Sequence, residues 1–287
     1  MTSTARVRLL QHLLPKNLLS ALVYRLARSE LGWVKGPLIR GFARGYRIDL
    51  GDAELDDLAR FSTFNAFFTR ALKPGARPIE GDDSTVVAPA DGVVTELGAL
   101  DDDRLLQAKG MSYSLADLLG EDGADVRALR GGGYFTTYLA PHNYHRVHTP
   151  LAGALTRVRY LPGERFSVSR ATAAAIERLF CRNERAICWL DTRAGPMVVV
   201  LVGALNVSSI DVVPRGEIAS GSAREWRESP PVALARGAEL GRFNLGSTVV
   251  VLFGPGAVRW DESLAPGTSV AMGRALGRAR MGGEPRT

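Results

Sequence analysis

The sequence predicts an α+β protein: a compact, mostly antiparallel β-domain preceded by amphipathic helices. Three observations carry this. Near residue 85 the hydrophobic period changes from helical spacing to short apolar runs. Strand-like runs then recur to the end of the chain. The basic charge gathers at the start, where residues 1–48 hold nine Lys and Arg against a single acid, Glu30. With 287 residues, 46% of them hydrophobic, the chain can bury a large core, which excludes disorder by composition.

The helical part comes first. Leu18, Leu19, Leu22 and Leu26 recur at helical spacing behind Asn17, a suitable N-cap. After Gly36 and Pro37 a second helix places Leu38, Ile39, Phe42 and Tyr46 on one side and Arg40, Arg44 and Arg47 on another. Basic and apolar faces in alternation suit helices lying in a membrane interface. We therefore expect residues 1–60 to be an amphipathic membrane-association region and 61–287 the β-rich domain. In "STFNAFFTRALKPGARPI", Ser62 or Thr63 caps a short helix carrying Phe64, Phe67 and Phe68 into the core, and Pro74 and Gly75 end it.

Strands follow. Two apolar runs flank the Pro-Ala-Asp-Gly turn at 89–92, and further strands are expected at 133–140, 155–161, 186–190, 197–213 and 247–253. "DTRAG" at 191–195 reads as a hairpin loop. Helices are expected at "SYSLADLLG", capped by Ser114, and across 169–180. The Gly- and Arg-rich tail 273–287 reads as frayed.

The formal charge of +6 and pI of about 9.6 suit an anionic partner, an acidic membrane or nucleic acid. No nucleic-acid-binding motif is present, so nucleic acid is not expected. No run approaches the roughly 18 apolar residues of a spanning helix, and Gln11, His12 and Pro15 interrupt the early apolar run. A chain that is soluble or lies on a membrane is expected. Cys181 and Cys188 lack CxxC spacing and read as reduced thiols in or near the core.

Three of the four histidines crowd into "PHNYHRVHTP": His142, His145 and His148. Metal binding, structural capping and acid–base work compete here. The H-x-x-H-x-x-H spacing lacks a nearby Cys or carboxylate, which weakens the metal reading, and no metal is expected. Imidazole titrates near neutrality, which favours acid–base chemistry. Such a base needs a nucleophile and often an orienting carboxylate. Asp91, in its Gly-flanked turn, and Ser247, at the mouth of a strand, are of the right kinds, although each alone reads as an ordinary turn or strand-entry residue.

Seven segments in order resemble the bacterial phosphatidylserine decarboxylase family, which is pyruvoyl-dependent: "TFNAFFTRAL", "APADGVV", "LLQAKGMSYSL", "TTYLAPHNYHRVHTP", "YLPGERFSV", "RNERAICWLDT" and "GRFNLGSTVVVLF". The resemblance spans nearly the whole chain. It implies that Asp91, His148 and Ser247 form a self-processing triad, that His145 serves decarboxylation, and that Ser167 lies near the substrate. His142 receives no role.

On this resemblance the chain cuts itself between Gly246 and Ser247, giving a β chain, 1–246, and an α chain, 247–287, that stay together as a heterodimer. Further dimerisation is compatible with it. Ser247 becomes a covalent pyruvoyl group that forms a Schiff base with phosphatidylserine and releases CO2, leaving phosphatidylethanolamine. The expected location is the cell membrane, peripheral on its cytoplasmic face and against anionic lipid. The lysines agree: Lys16, Lys35, Lys73 and Lys109 are all there are, so the strand-rich region with the histidines offers none for a pyridoxal cofactor. The competing reading is a membrane-tethered, non-enzymatic β-module of lipoyl- or biotinyl-carrier type. A carrier needs a modifiable lysine on an exposed hairpin, and none follows Lys109.

Overall fold

The computed structural model describes residues 16–108, 110–204, 209–244 and 247–282. Helix α1 (Lys16–Ala27) and helix α2 (Gly32–Tyr46) open it. Asn17 falls inside α1 rather than at its cap. Helix α2 starts earlier than expected and runs through Pro37, whose ring fixes a helical φ and forfeits a single hydrogen bond. Helix α3 (Phe64–Phe68) forms as expected, with Thr63 Oγ1 accepting the Ala66 N–H, but it ends at Phe68, well before Pro74.

Helices α1 and α2 pack against α3 through Ala27, Ile39, Ala43, Phe64, Phe67 and Phe68, forming a small separate core. Phe42 meets Phe64, Phe67 and Phe68 edge-on, a favoured aromatic geometry. Their other faces carry Leu22, Leu26, Leu31, Trp33 and Leu38 into solvent. No helix of the described residues is long and apolar enough to cross a membrane.

The strands are β1 (Thr85–Val87), β2 (Gly92–Ala99), β3 (Arg104–Ala108), β4 (Met111–Ser114), β5 (Gly133–Leu139) and β6 (Arg146–His148). Helices α4 (Leu115–Leu119) and α5 (Ala124–Arg127) lie between β4 and β5. Then come β7 (Gly153–Leu161), helices α6 (Arg170–Ala173) and α7 (Leu179–Arg182), β8 (Arg185–Thr192) and β9 (Gly195–Gly203). The chain continues through β10 (Ile210–Val212), β11 (Gly216–Ile218), β12 (Arg224–Leu234), β13 (Glu239–Phe243) and β14 (Ser247–Phe253). It closes with β15 (Val258–Trp260), β16 (Ser269–Val270) and β17 (Ala275–Ala279).

An eight-stranded sheet, ordered β12-β7-β8-β9-β14-β5-β2-β16, is antiparallel throughout. A four-stranded sheet, β11-β10-β13-β6, is also antiparallel. It covers one face of the large sheet, because Leu201 of β9 lies 3.2 Å from where a Cβ on Gly241 of β13 would stand. Central strands β9 and β14 are buried on both faces, which is why they read as unbroken Val and Leu runs rather than as alternation. Each fully buried aliphatic side chain there contributes about 1.5–3 kcal/mol.

The α+β class holds, as do the β8–β9 hairpin at Arg193–Ala194 and the Ser114 cap, whose Oγ accepts the Asp117 N–H. Three expectations are corrected. The helix expected over 169–180 is two short helices, because Gln107 takes over the backbone between them. Its Nε2 donates to the carbonyls of Ala173 and Ile176, and its Oε1 accepts the Leu179 N–H. The run 197–213 is two strands, not one, with 205–208 outside the described residues. The tail is not frayed through 282: β17 pairs with both β1 and β15, while 283–287 lie outside the described residues. Both cysteines are free thiols, Cys188 buried and Cys181 half-buried.

Candidate active site

Ser247 is the first residue of β14, paired with Leu139 of β5 and Gly203 of β9. Directly opposed residues share a face, and so do residues two apart on a strand. Val249 opposes Leu201, which the four-stranded sheet covers. Ser247 therefore faces that sheet, whose edge strand β6 carries His148. The Ser247 side chain is fully buried and its Oγ has no hydrogen-bond partner among the described residues. A hydroxyl left so is costly, about 1–3 kcal/mol, and calls for a chemical explanation. Gly246 lies outside the described residues.

Gly203 leaves room beside Ser247, and the Glu184 side chain fills it, 2.9 Å from where a Gly203 Cβ would stand. The buried Glu184 carboxylate accepts from Arg165 Nε at 3.1 Å, Tyr160 Oη at 3.0 Å and Ser220 Oγ at 2.8 Å.

His145 is fully buried, just before β6, with its ring 4.0 Å from that of Phe68. Its Nδ1 donates to the Asn143 carbonyl at 2.8 Å, because a carbonyl can only accept. Nε2 is thus a bare lone pair, and it has no partner among the described residues. Burial pushes this ring down to about 3, against the opposing Asn143 hydrogen bond, so it is neutral at physiological pH.

His148 donates from Nδ1 to the Gly237 carbonyl at 2.8 Å, so its Nε2 accepts the Tyr144 hydroxyl at 3.0 Å. Burial pushes this ring down as well; the Gly237 hydrogen bond and the nearby Glu239 and Asp91 charges oppose it. Gly237 sits at φ +78°, where the left-handed backbone favours glycine, and a Cβ there would meet Ile79 at 2.5 Å.

Asp91 lies beside His148 but does not bond to it. The His148 N–H donates to the Pro89 carbonyl at 2.7 Å, which pins β6 to the turn bearing Asp91. The Asp91 carboxylate itself is held by Arg77 through Nη2 at 2.7 Å and Nε at 3.0 Å, and by the Met272 N–H at 2.8 Å. Arg77 also bonds Asp52 at 2.7 Å, and these carboxylate hydrogen bonds push its guanidinium up. Asp91 thus acts on His148 through charge and through the shared turn.

Two further residues of the sequence reading, His142 and Ser167, are placed as follows. His142 is exposed, its carbonyl accepting from Arg70 at 3.1 Å. Ser167 precedes α6, where its Oγ accepts the Ser169 N–H at 3.3 Å. Sequence reading missed Phe68, Arg77, Tyr144, Glu184 and Gly237. Tyr144 had a local signal, lying inside the histidine motif. Arg77 and Gly237 had none, because the contacts that bring them here span 14 and 89 residues.

Comparison with known proteins adds a second line of evidence. The family profile described as phosphatidylserine decarboxylase matches residues 64–278, and one described as PSD matches residues 8–47. A protein of Ectopseudomonas mendocina named phosphatidylserine decarboxylase proenzyme is 48% identical over 278 residues, covering 94% of this chain and 97% of the relative. Proteins of the same name from Azotobacter vinelandii and Pseudomonas aeruginosa are each 48% identical, over 275 and 273 residues. Those alignments cover 94% and 93% of this chain, and 96% and 94% of the relatives.

Proposed function

The chain belongs to the phosphatidylserine decarboxylase family, and we propose that it is a proenzyme that cuts itself before Ser247 and then converts phosphatidylserine to phosphatidylethanolamine. Family membership favours this over a non-enzymatic carrier module. The observation that carries the site assignment is the buried Ser247 Oγ, unbonded among the described residues, on the face of β14 covered by the four-stranded sheet whose edge strand β6 carries His148.

In the proposed self-cleavage, Ser247 Oγ gives its proton to His148 and bonds to the Gly246 carbonyl carbon. The amide bond breaks and an ester takes its place. Loss of the Cα proton of residue 247 expels the Gly246 carboxylate and leaves dehydroalanine. Water then replaces the nitrogen, which departs as ammonia, and the new chain begins with a pyruvoyl group.

His148 suits the part of base: it is neutral, and Gly237 fixes its tautomer with the lone pair on Nε2. It takes up a proton only by exchanging the Tyr144 hydrogen bond, so Tyr144 controls its basicity. Asp91 stabilises the imidazolium through space, held by Arg77.

The residues fit a pyruvoyl group, because position 247 is dry and its oxygen has no structural duty. Such a ketone supplies the electron sink for CO2 loss from an amine-bearing head group. His145, with its bare Nε2 against Phe68, is the group we assign to take up a proton from solvent and pass it to the carbon that CO2 leaves. Ser167 lies in the segment assigned to the substrate.

We place the enzyme on the cytoplasmic face of the cell membrane, with residues 1–60 as the docking region. The exposed Leu22, Leu26, Leu31, Trp33 and Leu38 are available for the interface, and nearby arginines add about 1 kcal/mol each against anionic lipid. The two cleavage products remain as a heterodimer.

Intact-mass measurement tests the proposal. Two chains are expected, the smaller covering 247–287 and lacking a free N-terminal amine. Ser247→Ala should stay whole and inactive, whereas His145→Ala should cleave but decarboxylate poorly. A folded wild-type chain that stays intact would overturn the reading.

A further inference from the structure

Helix α3 grips the chain just upstream of Ser247. Asn244 directly follows β13 and is buried. Its N–H donates to the Ser209 carbonyl at 3.1 Å. Its Nδ2 donates to Ser209 Oγ at 2.7 Å and to Asp211 Oδ1 at 3.3 Å. An ionised Asp211 can only accept, which fixes which way round the Asn244 amide lies. Its Oδ1 therefore points the other way, where Asn65 Nδ2 of α3 donates to it at 2.9 Å across 179 residues of sequence. Ser209 Oγ also accepts from Arg28 Nη2 at 3.1 Å.

The same helix reaches the histidines. The Phe68 ring lies 4.0 Å from that of His145, and the Thr69 carbonyl, just after α3, accepts from Arg146 Nε at 3.0 Å. The Phe243 N–H in turn donates to the His145 carbonyl at 3.1 Å. Helix α3 thus sets the histidine segment and the chain before residue 247 relative to each other. Packing alone would need only its phenylalanines. The Asn65 amide is a separate, polar contact, made to the segment that leads into the cut.

Resting on the proposed self-cleavage, we propose that Asn65 and Asn244 are positioning residues for that step. They hold the acyl side of the scissile bond where the Ser247 Oγ can attack it. Downstream of the bond, β14 is paired on both edges from Ser247 onward. Upstream, Asn244 is anchored, with residues 245 and 246 between. Such an attack tolerates little misplacement: about 1 Å can cost a hundredfold in rate. The need ends with the cut. Once the bond before Ser247 breaks, Asn244 belongs to the other chain, and no covalent path carries its position to residue 247. The amide pair therefore serves formation of the pyruvoyl group and not loss of CO2.

The test separates the two steps. Cleavage of the newly made full-length chain is followed by intact mass, and CO2 release from phosphatidylserine vesicles is then measured per cleaved molecule. Asn65→Ala and Asn244→Ala should each slow cleavage at least tenfold. Asn65→Asp, of the same size but with no donor while ionised, should be at least as slow as Asn65→Ala. Once cleavage has run to completion, kcat and KM of Asn65→Ala should stay within twofold of wild type. The double variant should cleave no more slowly than Asn244→Ala alone, because both changes remove the same hydrogen bond.

The positioning role is overturned if both Asn65 variants cleave at the wild-type rate. It is also overturned if kcat falls in step with cleavage, as a general loss of structure would produce, or if the two single effects multiply in the double variant. A wild-type chain that never cleaves is a different result and sinks the self-cleavage reading with it.

Discussion

His145 links stability to chemistry. Folded, it titrates near 3; in an unfolded chain imidazole titrates near 6.5. Between those values the unfolded chain binds a proton that the folded chain refuses. The contribution to stability is therefore fully present above pH 6.5 and is lost as pH falls toward 3. From pH 7 to 5 the wild type should lose about 2 kcal/mol more than His145→Phe, measured by urea unfolding in the uncleaved Ser247→Ala background. Tyr144→Phe tests the neighbouring ring. The tyrosine hydrogen bond favours neutral His148, so its removal should shift the acid limb of self-cleavage to higher pH, read from cleavage time courses. Ser247 and the two histidines were legible by residue type and motif. The partners that hold their tautomers and charges were not, because Arg77 and Gly237 arrive by folding.

Gln107 shows why elements were harder to read than residues. Helical spacing over 169–180 is real, yet one buried amide replaces a turn of helix there. Gln107→Ala strands two carbonyls and an N–H, and should cost about 3 kcal/mol in urea unfolding, with the loss concentrated at α6 and α7 in hydrogen exchange. Strand β12 escaped notice because its exposed, alternating charges and Pro230–Pro231 hide a strand paired along only one edge. The central strands were legible because burial on both faces demands unbroken apolar runs, and the Ser114 and Thr63 caps because capping is local.

Across the whole molecule, the amphipathic pattern of residues 16–46 serves two surfaces. Ile39, Ala43 and Phe42 secure α2 to the phenylalanine cluster, while Trp33, 77% exposed, and its leucine neighbours face outward. The sequence showed apolar and basic faces; it did not show that the apolar set would divide between an internal core and solvent. Trp33→Asp should leave self-cleavage intact and weaken binding to phosphatidylserine-containing vesicles about tenfold in a sedimentation assay. Normal vesicle binding would remove Trp33 from the docking surface. Arg28, just after α1, reaches Glu217 of the β-domain at 2.8 Å, so the helices proposed to dock are held to that domain rather than trailing from it.

Strand β14 lies deep within the eight-stranded sheet, hydrogen-bonded on both edges, and β16 and β17, downstream of it, pair with β2 and β1. On the proposed cut, the 41 residues from Ser247 to Thr287 begin with that strand. A severed piece so placed has no exit except through melting of the whole sheet. Once melted, it would return as a bimolecular partner, without the covalent tether that first laid it in register. The working molecule can thus be built only once: its lifetime is governed by how slowly it opens, and heat inactivation of the mature form should be irreversible under conditions where Ser247→Ala refolds.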